Sequence, residues 1–189
     1  MTVHVTRAAD GEMRRAFTIA DVERMVEAGI IDESERFELI GGEIVPMSPK
    51  GITHERLKGW LVYELVQKLP SGFRTIPETT FRLNDDTFLE PDFVVFPDDL
   101  DLAELGPGNA VLAIEIAVSS LSYDLGRKAQ VYAGFGVAEL WVIDVAQRQT
   151  VVHRHATPMG YRDVVRHSEE VVLKPSGIPD FSLTLGDYA

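Results

Sequence analysis

No cysteine occurs among the 189 residues. Disulfides, thiolate zinc sites and cysteine nucleophiles are therefore excluded, and a cytoplasmic setting is expected. Long apolar runs are missing too. None approaches the ~18 residues that a membrane-spanning helix needs, so no membrane association is expected. The opening MTVHVTRAADGEMRR lacks the apolar stretch of a signal peptide. Positive charge is scarce: 18 Lys and Arg stand against 30 Asp and Glu, for a net charge of −12. Long-range repulsion then opposes nucleic acid. A protein of this charge acting on nucleic acid needs a local basic patch, a bound metal or a partner that supplies positive surface. The chain has no repeat, no low-complexity tract and no linker long enough to divide it.

What is present suits one globular domain. Hydrophobic residues make up 45% and charged residues 25% of a chain long enough for one sizeable core. Residues 1–15 read as a flexible arm and residues 16–189 as a single domain. Thr18 with Asp21 signals a helix start, and the helix runs to about Ala28 before Gly29. RFELIGGEIVPM reads as a hairpin turning at Gly41-Gly42, with Glu38 at the surface and Glu43 opening the second arm. Residues 54–69 form a helix with Leu57, Trp60, Leu61, Leu65 and Val66 as its apolar stripe. Residues 73–83 are β-rich, and Thr87 to Phe96 read as one strand. Pro91 lacks an N–H and belongs at a strand start, an edge or a bulge. AVLAIEIAV suits a central strand buried on both faces. Residues 123–135 are helical, 139–144 form a further strand, and later strands finish the sheet antiparallel. His153, His155 and His167, on those late strands, are expected to face solvent. The order predicts an α/β (α+β) domain: a mixed β-sheet flanked by helices.

Two carboxylates break the apolar strands, Asp92 and Glu115. Buried acids are costly unless something compensates them, and a divalent cation or a hydrogen-bond network are the two ways of doing so. Both are oxygen ligands of the kind Mg²⁺ and Mn²⁺ prefer. If their strands are neighbours, a metal between them would polarise a phosphate and lower the pKa of a bound water. Lys128, in the following helix, would orient that water or stabilise developing charge. Bland readings stand beside these. Asp92 caps a turn, Glu115 pairs with a buried Lys or Arg, and Lys128 pairs with Asp124 on the helix surface.

Pro91-Asp92 followed by a strand Glu115 resembles the PD-(D/E)XK nuclease signature. FELIGGEIVPMSPKGITH, EPDFVVF and EIAVSSLSYDLGRKAQVYAGFGVAELWVID resemble, more closely, a bacterial restriction-endonuclease family long catalogued as a domain of unknown function. The resemblance covers most of residues 17–145. It implies a restriction-endonuclease-like fold and a divalent metal, Mg²⁺ or Mn²⁺, on Asp92 and Glu115. It gives supporting roles to Glu43 and His54 and implies DNA as substrate. The signature lysine belongs two positions after Glu115, where Ala117 stands; the family carries it in the next helix, and Lys128 matches that place. By analogy with such folds, a homodimer is expected. The expected function is metal-dependent hydrolysis of phosphodiester bonds in DNA. The alternatives are a catalytically degenerate binding or assembly module of the same fold, and a metal hydrolase of small phosphoesters.

Overall fold

In a computed structural model the described residues are 5–7 and 13–188. The strands and helices run β1 (Val5–Arg7), β2 (Met13–Arg15), α1 (Ile19–Glu27), β3 (Phe37–Ile40), β4 (Glu43–Pro46), α2 (Ile52–Lys68) and β5 (Phe73–Pro77). There follow β6 (Phe81–Asn84), β7 (Thr87–Leu89), β8 (Phe93–Pro97), β9 (Leu112–Ala117) and α3 (Leu121–Tyr123). A π-helical segment (Asp124–Lys128) leads directly into α4 (Ala129–Gly134). The chain ends through β10 (Glu139–Asp144), β11 (Gln149–Thr157), β12 (Gly160–Ser168), β13 (Val172–Leu173) and β14 (Leu183–Thr184). The chain forms two compact units, residues 1–49 with 80–90, and residues 50–79 with 91–189. Much of the expected N-terminal arm lies outside the described residues; within it β1 and β2 pair antiparallel.

In the first unit, Thr18 caps α1 through a capping box with Asp21. A four-stranded sheet has the order β4-β3-β7-β6. Its core joins Ile19 and Val22 of α1 to Ile31, Phe37, Leu39 and Phe88. The β3–β4 hairpin turns at Gly41 and Gly42, which have φ of 58° and 77°. Such left-handed backbone is strained for residues with a Cβ, and a Cβ on Gly42 would also lie 2.5 Å from that of Ala16. Glu38 is buried rather than exposed and accepts the Glu90 N–H at 3.0 Å. This corrects the surface expectation: β3 is an inner strand between β4 and β7, and the Glu38 carboxylate is engaged by the backbone just after β7.

The second unit is built on a six-stranded mixed sheet of order β12-β11-β10-β9-β8-β5. Only β9 and β10 are parallel; the other ladders are antiparallel. Leu57, Leu61 and Leu65 of α2 pack with Phe93, Val95, Leu112, Ile114, Trp141 and Phe181 in its main core. Val66, expected on that stripe, is exposed. Every residue of β9 is buried, as its nearly unbroken apolar run required. Strand alternation sends Leu112, Ile114 and Ile116 to the α2 side and Ala113, Glu115 and Ala117 to the opposite face.

The segment read as one strand from Thr87 to Phe96 is two. β7 belongs to the four-stranded sheet and β8 to the six-stranded sheet. The ladder breaks at Glu90-Pro91-Asp92, where Pro91 has no N–H to give. Glu90 therefore does not share a strand face with Asp92; its carboxylate pairs with Arg36 at 2.9 Å.

Candidate functional site

The β8–β9 ladder fixes the centre of the candidate site. Phe93 faces Ile114 and Val94 faces Ala113. Asp92 is the residue just before β8, and Glu115 is the residue just after Ile114 in β9. The two acids are 4% exposed each. Asp92 Oδ2 accepts the Ile116 N–H at 2.7 Å, which ties its side chain to the strand that carries Glu115. Asp92 Oδ1 lies 3.0 Å from His54 Nε2 and accepts from Lys50 Nζ at 2.7 Å. Burial alone would push the Asp92 carboxyl up. The His54 hydrogen bond and the Lys50 charge outweigh it and hold the group at about 2.

Glu115 is served from the helical side. Lys128 Nζ lies 2.9 Å from its Oε1, and the Tyr132 hydroxyl donates to the same oxygen at 2.5 Å. Lys128 is 3% exposed, so it does not lie on the helix surface. It ends the π-helical segment, and Tyr132 follows four residues later in α4. A π-turn rotates the side chains after it relative to a regular helix, and such segments recur at functional sites. Asp124 is buried as well and accepts from the Ser120 hydroxyl at 2.6 Å.

Of the five residues singled out from the sequence, four lie in the second unit in two contacting pairs, Asp92 with His54 and Glu115 with Lys128, and the Ile116 N–H links Asp92 to the strand of Glu115. Glu43 is in the first unit, half-buried at the start of β4 and paired with Ile40. Three participants were not anticipated. Lys50 comes from the loop before α2, Glu78 follows β5, and Tyr132 was read only as an apolar helix position. Glu78 accepts from Lys50 at 2.6 Å and from Lys58 at 3.0 Å. Its burial raises its pKa, but the two ammonium groups prevail and lower it. Lys50 sits within the family-like stretch SPKGITH, the one signal that pointed its way. Nothing local in the sequence marked Glu78.

The late-strand histidines divide. His155 is exposed and pairs with Asp163 at 2.7 Å, while His153 is buried against the Tyr161 ring. Burial holds the His153 imidazole below its ordinary pKa, which corrects the solvent-facing expectation. Its neighbours Val151 and Val152 are buried too, on an inner strand between β10 and β12.

Chemically, the arrangement offers two buried carboxylates, each with an ammonium group at hydrogen-bond distance. Among the described residues no helix is long and apolar enough to cross a membrane. They also contain no group of three or more His, Cys, Asp or Glu arranged to hold a metal.

A comparison with curated proteins finds no match. Among solved structures, the chain is similar to a crystal structure described as "a putative nuclease belonging to DUF820" from Anabaena variabilis ATCC 29413. The two share 16% sequence identity with a TM-score of 0.69, over 91% of this chain and 97% of that one. At that identity the likeness shows the fold, which is restriction-endonuclease-like. The family described as "Putative restriction endonuclease" (Uma2) matches residues 19–186, nearly the whole sequence, and the chain belongs to that family.

Proposed function

We propose that the chain is a nuclease that hydrolyses phosphodiester bonds in DNA, with Asp92 and Glu115 as ligands of Mg²⁺ or Mn²⁺. The observation that carries this reading is a pair of buried carboxylates on one strand pair: Glu115 in β9 with Lys128 upon it, and Asp92 bonded to the β9 backbone at Ile116. The donor set suits such an ion. Mg²⁺ is commonly held by one or two carboxylates, with water and substrate phosphate completing its shell. Asp92, held at about 2, is ionised at any working pH. A bound divalent cation would polarise the phosphate and lower the pKa of a water.

The remaining roles fall to the chain itself. The Ile116 N–H and His54 fix the Asp92 carboxylate from two directions. The Tyr132 hydroxyl orients Glu115. Lys128 brings a positive charge beside the scissile phosphate, where charge builds up as the bond breaks. The substrate class follows from family membership and from this constellation together.

One observation favours a second reading. Both carboxylates already have compensating cations, Lys50 on Asp92 and Lys128 on Glu115, so the core is stable without a metal. That would suit a catalytically degenerate binding module.

Plasmid and single-stranded DNA, incubated at low salt with Mg²⁺ or Mn²⁺, separate the two. Wild type should cut, and Asp92→Asn and Glu115→Gln should reduce cutting to background while folding normally. A protein that neither cuts nor gains thermal stability on adding Mn²⁺ would be the binding module. A ligand at a hundred times its Kd stabilises by about 2.7 kcal/mol, so a competent site could not escape detection.

A further inference from the structure

Lys50 takes no part in the chemistry above, yet its ammonium bridges a ligand carboxylate and a second acid. It lies 2.7 Å from Asp92 Oδ1 and 2.6 Å from Glu78 Oε1, with its side chain only 11% exposed. The chain of charges continues outward. Lys58 lies 3.0 Å from Glu78, and 2.7 Å from Glu55 at the half-exposed end. Positive and negative groups alternate along it, so no member sits beside an uncompensated like charge. A lysine is the residue to do this, because its ammonium rides on a flexible four-carbon stem and can change partners.

We infer that Lys50 is a resident counter-cation that holds the Asp92 ligand position in the metal-free protein, and that a divalent cation entering there shifts its ammonium wholly onto Glu78. The inference rests on the reading of Asp92 as a metal ligand. An ammonium group and a divalent cation compete for one carboxylate oxygen, and their mutual repulsion drives them apart. Glu78 already holds the ammonium, so release from Asp92 strands no buried charge. Metal affinity is then set by how two carboxylates share one lysine. Lys50 and Glu78 are positioning residues, and their removal should move metal affinity in opposite directions. Without the ammonium, Asp92 Oδ1 keeps its His54 contact but no lysine competes with the metal there. Without the Glu78 charge, the ammonium bears on Asp92 alone and resists displacement.

Calorimetric titration of Mn²⁺ into the DNA-free protein tests this, with wild type, Lys50→Met, Glu78→Gln and Asp92→Asn compared. Lys50→Met should bind Mn²⁺ about tenfold more tightly than wild type, equivalent to about 1.4 kcal/mol. Glu78→Gln should bind it more weakly by a similar factor, and Asp92→Asn should not bind. A purely structural role for the pair would lower the Tm of both variants but would not split their affinities by sign. Affinities that move together, or do not move, overturn the inference. If Lys50→Met does not fold, Glu78→Gln decides alone, and unchanged or tighter binding sinks the idea. Wild-type binding that Asp92→Asn abolishes, with the other two unaffected, would remove the exchange but keep the metal site. No Mn²⁺ binding by wild type would remove both.

Discussion

Truncating one partner of the Glu115–Lys128 pair should cost more than removing the pair. Lys128→Met leaves a carboxylate that is 4% exposed with one cation fewer, a change of the kind that destabilises by roughly 3–5 kcal/mol. The double variant Glu115→Gln with Lys128→Met should recover part of that loss, since no buried charge remains unpaired. Urea unfolding of the four members of the cycle gives the coupling directly. A loss in the double variant equal to the sum of the two single losses would mean that the pair is not coupled. Glu139 carries a pH prediction. It accepts from Trp141 Nε1 at 2.6 Å, the Ser176 N–H at 2.8 Å and Arg154 at 2.9 Å. Burial pushes its carboxyl up, but Arg154 and the other donors prevail and hold it below the ordinary 4.5. A carboxyl depressed in the folded state contributes stability above its unfolded pKa, lost as pH falls through the folded value. Wild type should therefore lose more Tm than Glu139→Gln between pH 6 and pH 3, as read by calorimetry. Parallel curves would show that Glu139 does not drive acid sensitivity.

Two glycines in different elements should answer the same substitution with opposite signs. Gly42 turns the β3–β4 hairpin at φ 77°, and a Cβ there would collide with Ala16. Gly59 lies exposed in the middle of α2, with nothing within 4 Å of a built Cβ. Gly59→Ala should stabilise by about 0.5–1 kcal/mol, and Gly42→Ala should destabilise by more than that. Chemical denaturation midpoints at unchanged m-value check both. The elements also show where the sequence could be read and where it could not. The Gly41-Gly42 turn was legible because the double glycine between apolar runs has one economical explanation. The α2 stripe at Leu57, Leu61 and Leu65 was legible from its period, while Val66 was not, since the stripe is narrower than the run of apolar residues. Asp92 and Glu115 stood out because acids contradict the strands that hold them. The break at Pro91 carried a local cue, the missing N–H, but an unbroken apolar pattern on both sides masked it. Glu78 carried no cue at all, and Lys50 only its place in the family-like stretch SPKGITH. A loop lysine and a strand-end glutamate are ordinary until folding sets them on either side of one hydrogen bond.

For the whole molecule, a net charge of −12 sets how it meets a polyanion. In metal-free buffer its association with DNA should speed up as NaCl rises from about 10 mM to about 150 mM. Over that range the screening length contracts from about 30 Å to about 8 Å, and long-range repulsion fades. Stopped-flow mixing with labelled DNA and the Asp92→Asn variant isolates this from cleavage. A steep fall in rate with salt would instead reveal a basic surface that dominates the encounter. The sequence by itself determined the alternation that buries β9, the turn at the double glycine, and the two acids in apolar strands. It also determined membership of the family, since each of these rests on neighbours in the chain or on a pattern spread along nearly its whole length. Only the tertiary structure decided that Asp92 bonds to the backbone of Ile116 beside Glu115, that Lys128 turns inward from a π-helical segment, and that Lys50 bridges Asp92 and Glu78. Those are pairings between residues tens of positions apart. They are set by strand register and helix rotation, and no local preference encodes either.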